Sequence, residues 1–128
     1  MMNSNFRNLL IGIVIGVGLI LLLDSFNPMD QFTFKELPKP YYKILFENDD
    51  VRIVEHKLEP GESEPLHSHP PMFVYFLEDA EVWVAGPDGK SRKEILKKGQ
   101  TLNPPSITHS IQNKGTSALH SLLVELKE

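Results

Sequence analysis

From residue 41 onward the chain breaks into short β-type runs separated by turn signals, and that rhythm confines it to an all-β fold. The runs cover residues 41–46, 51–58, 72–77, 81–85, 92–96, 107–113 and 119–126. Each is rich in Val, Ile, Leu or aromatic residues, and no helix of ordinary length fits among them. Several such strands close a β-sandwich or barrel, because one open sheet would leave an apolar face in water. Pro87-Asp88-Gly89 turns by a definite mechanism: Pro fixes φ and Gly accepts a positive φ, so the runs at 81–85 and 92–96 form a hairpin. Lys90, Arg92, Lys93, Lys97 and Lys98 crowd that hairpin. They read as a solvated edge that resists strand pairing, with an anion site as the alternative.

The segment ahead of these strands has a different chemistry. Residues 9–23 read LLIGIVIGVGLILLL, with no polar side chain. A helix of a soluble core keeps a polar stripe for water, and this run has none. It is shorter than the ~20 residues that usually span a bilayer and lies at the long end for the apolar region of a signal peptide. Asp24-Ser25-Phe26-Asn27-Pro28 offers no Ala-x-Ala-like cleavage site. The reading is one N-terminal hydrophobic helix, an uncleaved single-pass signal anchor over residues 1–24. Gly12 and Gly16 form a small-xxx-small pair of the kind that lets helices approach in lipid, a pattern common by chance in Gly-rich runs. Arg7 and the amino terminus put the short tail in the cytoplasm and the body on the extracytoplasmic side, while Lys35, Lys39 and Lys43 argue the other way. Residues 25–40 hold three prolines and no sustained period, as a linker does. The domain is then residues 41–128.

Charge and cysteine content narrow the function. Thirteen Lys and Arg against seventeen Asp and Glu leave −4, so the broad basic surface of a nucleic-acid binder is missing. The chain has no cysteine, which removes disulfides, Cys zinc sites, thiol catalysis and a lipobox anchor together.

Histidines carry the chemical signal. They occur at 56, 67, 69, 109 and 120. His67 and His69 are two apart, so on an extended segment both imidazoles leave one face and converge on one ion. Pro60-Gly61 opens a turn before them, and Pro70-Pro71 stops the segment after. A second stretch, GQTLNPPSITHSIQN from Gly99, carries Pro104 and Pro105 before His109 and Asn113 after it. On that strand Ile107, His109 and Ile111 share a face, which sets His109 among apolar neighbours in need of a partner.

With these residues in view, the sequence resembles the cupins, whose two motifs run Gly-x5-His-x-His-x3-4-Glu and Gly-x5-Pro-x-Gly-x2-His-x3-Asn. Gly61, His67 and His69 match the first. Gly99, a proline at 104 or 105, His109 and Asn113 match the second apart from a one-residue contraction. The resemblance covers residues 41–128 and is closest to small single-domain cupins with an ENDxVR segment, PGExxPxHSHP, a PDGK turn and a terminal VELK. It implies a single jelly-roll-like β-barrel and, by its strand edges, a homodimer. Two departures stand out. The glutamate of the first motif falls at Met72, Phe73 or Val74, none acidic, and the glycine of the second is Ser106 or Ile107.

What the resemblance leaves is a metal set of His67, His69 and His109, suited to a divalent ion of Fe, Zn, Mn or Ni type with positions open to water or substrate. The alternative is a pocket that has lost its metal and keeps its histidines for packing and hydrogen bonding. His56 alternates with Val54 and Leu58, and His120 with Leu122 and Val124, so either can face inward, more commonly as a hydrogen-bonded core residue than as a ligand. Met72 offers a soft thioether that would favour copper, although core methionine is commoner. Tyr75 and Trp83 read as barrel-building aromatics. No general acid or base is evident, since Glu62 and Glu64 sit in a Glu-rich, solvent-facing turn. The functional reading is a membrane-anchored, metal-binding cupin that takes a small molecule, by dioxygenase-like or other metal chemistry. Its alternatives are a metal-free binding or sensing module and a purely structural interaction domain.

Overall fold

Alternation of buried and outward side chains builds each strand. In the computed structural model, which describes residues 37–38 and 40–127, Arg52, Val54, His56 and Leu58 of one strand are buried while the residues between them turn outward. The apolar run at 9–23, its helix and its orientation lie outside the described residues. Among those described, no helix is long and apolar enough to cross a membrane.

Among the described residues nine strands follow in order: β1 (Tyr42–Glu47), β2 (Val51–Leu58), β3 (Ser63–His69), β4 (Met72–Phe76), β5 (Ala80–Ala85), β6 (Ser91–Leu96), β7 (Thr101–Leu102), β8 (Ile107–Gln112) and β9 (Leu119–Leu126). They form a five-stranded sheet, β1-β2-β9-β4-β7, and a four-stranded sheet, β3-β8-β5-β6. The two pack face to face. Val54, Leu58, Met72, Val74 and Phe76 of the first sheet share one buried cluster with Val82, Leu96 and Ile111 of the second, as apolar inner faces of a jelly roll do. The expected all-β architecture is present.

The turns have the chemistry their positions need. Gly89 takes φ +77° in the Pro87-Asp88-Gly89 hairpin between β5 and β6, and Gly61 takes φ +86° after Pro60, values that only glycine adopts without strain. Strand β6 is an edge, with Arg92 and Lys93 exposed on it.

Two strands have no clear signal in the sequence. β7 is only two residues long. β3 reads SEPLHSH, too polar for an alternating apolar pattern, and it is bulged: Glu64 pairs with Ile111 and His67 with His109, so the register shifts between them. Pro65 sits inside that bulge, where its missing N–H costs no ladder bond. The bulge turns both Glu64 and His67 inward, which strict alternation forbids. A second feature faces outward. Phe46, Ile53, Val124 and Phe73 are paired in one row across β1, β2, β9 and β4, and Phe46 and Phe73 are each about half exposed.

Candidate metal centre

The register of β3 on β8 sets His67 directly opposite His109. His67 and His69 share the inner face of β3 and are both buried. Ring centroids lie 4.7 Å apart for His67 and His69, 4.8 Å for His67 and His109, and 5.4 Å for His69 and His109. One nitrogen from each ring falls within 4.8 Å of the others. The three histidines singled out in the sequence therefore converge.

Their hydrogen bonds say which nitrogen carries the proton. His67 Nδ1 donates to the carbonyl of Pro65 at 2.8 Å, and His69 Nδ1 donates to Glu125 Oε1 at 2.6 Å. In neutral rings this leaves lone pairs on both Nε2 atoms, which sit 2.9 Å apart. His109 Nε2 is buried and meets no hydrogen-bond partner among the described residues. Burial, reinforced by His67 and His69, pushes His109 down to about 3. Burial also lowers His67, against the opposing attraction of Glu64. Imidazole nitrogens aimed at one another in a buried cluster form a donor set that fits a divalent cation, which binds such nitrogens at ~2.0–2.1 Å. A bound ion would supply Lewis acidity or redox chemistry there.

Two buried carboxylates back this set, Glu125 from the five-stranded sheet and Glu64 from β3 itself. Glu125, fully buried on β9, also takes Arg52 Nε on Oε2 at 2.8 Å, and Arg52 and Glu125 are register partners. Glu64 Oε2 accepts from His56 Nε2 at 3.1 Å. Its Oε1 accepts from Tyr42 Oη at 3.2 Å and lies 3.8 Å from His67 Nε2. Burial pushes the Glu64 carboxyl up, but His56 first, then His67 and His109, pull it further down, so it stays ionised.

Several expectations need correcting. Glu62 does stay at its turn, accepting the Glu59 N–H, but Glu64 is only 2% exposed, because the bulge rotates it inward. Acid–base groups are therefore present beside the histidines. His120 lies with Leu122 and Val124 on the outer face of β9, bonded to Glu55 at 2.9 Å, while Ser121, Leu123 and Glu125 face in. His56 faces inward as a hydrogen-bonded core histidine, its ring stacked on Tyr42. Of the positions that replace the motif glutamate, Met72 and Val74 point inward and Phe73 outward. Tyr75 stands exposed outside the barrel, and Trp83 is half-buried with Lys114 Nζ 5.2 Å from its ring centroid. Asn113 has a structural role: its amide donates to the carbonyls of Leu58 and Ser117 and accepts from Gly115 N–H.

Tyr42, Arg52, Glu64 and Glu125 are the residues of the site that the sequence reading did not select. Arg52 and Glu125 take inward positions beside His56 on β2 and Ser121 on β9, and they meet only through the pairing of those two strands. A cavity of about 350 Å³ opens from His69 and His109 between the sheets, with Val74, Phe76, Val82 and Ile111 among its walls.

The arrangement is a double-stranded β-helix of the cupin kind, with a histidine cluster inside. Among solved structures, a cupin domain from Bordetella pertussis Tohama I superposes with a TM-score of 0.62 at 20% identity, covering 72% of this chain and 99% of its own. An RmlC-like cupin family protein with a double-stranded β-helix fold from Methanocaldococcus jannaschii gives 0.54 at 19% identity over 72% of this chain and 87% of its own. A cupin superfamily protein from Desulfitobacterium hafniense DCB-2 gives 0.53 at 20% identity over 68% and 76%. These likenesses establish the fold. No family profile matches the sequence, and no curated protein matches it significantly.

Proposed function

We propose that this chain is a cupin that binds one divalent metal ion through His67, His69 and His109 and presents it to a small molecule. The observation that carries the reading is the pair of facing Nε2 lone pairs beside the partnerless His109 Nε2. Such an arrangement is costly without a cation and favourable with one. The apolar walls of the adjoining cavity favour a small, largely apolar ligand whose polar end reaches the histidines, within the size range of small-molecule sites. Dioxygenase-like or other metal chemistry belongs to the same proposal, and so does anchoring by residues 9–23 with the domain outside the cytoplasm. A homodimer is part of it as well, with the outward row of Phe46, Ile53, Val124 and Phe73 as the face for a second copy.

The deciding experiment is metal analysis of the full-length chain, purified in detergent without added metal, followed by calorimetric titration of the metal-free protein with zinc(II) and iron(II). One equivalent bound by the wild type supports the reading, and iron that consumes O₂ assigns redox chemistry. A folded protein that binds neither ion overturns it in favour of a metal-free binding module. Orientation is tested separately by a Ser91→Cys variant, exposed on β6: labelling by an impermeant maleimide in intact cells is expected, and protection until lysis would reverse the topology.

A further inference from the structure

The Tyr42 hydroxyl is surrounded by more lone pairs than its proton can serve. Its oxygen lies 2.9 Å from His67 Nε2, 3.5 Å from His69 Nε2 and 3.2 Å from Glu64 Oε1. Both imidazoles carry their protons on Nδ1, bonded to Pro65 O and Glu125. Three acceptors thus face one O–H in a buried space, where an acceptor without a donor is costly.

We propose that Tyr42 is a fourth protein ligand of the ion, so that the donor set is three imidazoles and one phenolate oxygen. The inference rests on the metal reading above and adds to it a ligand from β1. An ion held at ~2.1 Å separates neighbouring donor atoms by ~3.0 Å at a right angle and ~3.4 Å at a tetrahedral angle. The separations among Tyr42 Oη, His67 Nε2 and His69 Nε2 are 2.9, 2.9 and 3.5 Å. Stacking of the Tyr42 ring on His56, at 4.3 Å and 5°, fixes the oxygen in that place. Tyr42 thereby supplies an oxygen that Met72, Phe73 and Val74 do not.

Glu64 completes the proton balance. On coordination the Tyr42 O–H bond breaks and the proton passes to Glu64 Oε1, the oxygen it already faces. The resulting carboxylic acid donates a hydrogen bond back to the phenolate, while His56 continues to donate to Oε2.

Ferric iron reports phenolate ligation directly, since a bound phenolate gives a visible charge-transfer band with resonance-enhanced ring vibrations and imidazole with water does not. The full-length protein is loaded anaerobically with iron(II), then oxidised with one equivalent of ferricyanide. The wild type should show the band, and Tyr75→Phe, on the outer face, should keep it. Tyr42→Phe, which preserves the stacked ring, should lose the band and bind zinc(II) about 10-fold or more weakly. Stoichiometric iron without the band, or a band that survives Tyr42→Phe, overturns Tyr42 ligation and leaves the three-histidine centre standing. Failure of the wild type to bind iron or zinc overturns both.

Discussion

His69 and Glu125 belong to opposite sheets, and the 2.6 Å hydrogen bond between them ties a candidate ligand to the far wall of the barrel. The carboxylate does three things through that bond. It keeps the His69 proton on Nδ1, holds the ring plane, and makes Nε2 a better electron donor. Its other oxygen meets Arg52 Nε, so the buried negative charge has a cation on one side and the His69 N–H donor on the other.

Glu125→Gln should therefore weaken zinc(II) binding by roughly 10- to 100-fold without removing a ligand. The same change should destabilise the fold by about 3 to 5 kcal/mol, the usual cost of opening a buried ion pair from one side. Titration calorimetry and urea unfolding of the metal-free protein measure the two effects. Unchanged affinity would mean that His69 is oriented by its strand alone.

Ligands and supporting residues separate by the size of the loss. His67→Ala, His69→Ala and His109→Ala should each abolish most of the affinity, because each removes one of the three imidazole nitrogens that converge. His120→Ala should leave zinc(II) affinity at the wild-type level, since its partner is Glu55 on the outer face. His56→Ala should fall between, through Glu64 and the Tyr42 stack. Equal affinity across the wild type and the first three variants would falsify the metal assignment.

A glutamate can be restored at only some of the candidate positions. Met72 is buried and lines the cavity with His69 and His109, whereas the side chain of Phe73 stands outside. Met72→Glu should tighten divalent-ion binding if the new carboxylate reaches the ion, and lower stability of the metal-free protein by burying a charge. Phe73→Glu should leave divalent-ion binding unchanged, since its side chain points away from the cavity. A tighter complex from Phe73→Glu and none from Met72→Glu would reverse the facing of β4.

The contrast between those positions marks what the sequence could and could not convey. The runs that became β2 and β9 were legible as strands, and so was the His-x-His pair, because spacing alone puts it on one face. The facing of β9 was not: Leu119, Leu122, Leu123 and Val124 are apolar on both faces, so periodicity could not tell that Ser121 and Glu125 point in while His120 points out. Glu64 was hidden for another reason. A bulge adds a residue to one strand only, and nothing in SEPLHSH announces it. Tyr42 and Arg52 became site residues through long-range pairing of β1, β2 and β9, which no local pattern encodes.

Acid should destabilise the metal-free protein, beginning well above the range where ordinary carboxylates titrate. His109 falls to about 3 in the fold from an ordinary 6.5, chiefly by burial, and His67 is lowered for the same first cause. As pH drops through ~6.5 the unfolded chain takes up protons at both positions while the native state does not, so the unfolded state binds more protons and stability rises with pH. The contribution of these neutral imidazoles is whole above about 6.5. For His109 it is lost progressively toward about 3, at up to ~1.4 kcal/mol per pH unit for each such histidine. Glu64 adds to the trend lower down: its pKa lies below 4.5, so its stabilisation is present above that value and is lost as pH falls through its native one. Urea midpoints in chelator at pH 7.5, 6 and 5 should decrease in that order with an unchanged denaturant slope. His109→Ala should shallow the decline, and a wild-type midpoint that stays flat from pH 7.5 to 5 would mean these rings are not held neutral in the native barrel.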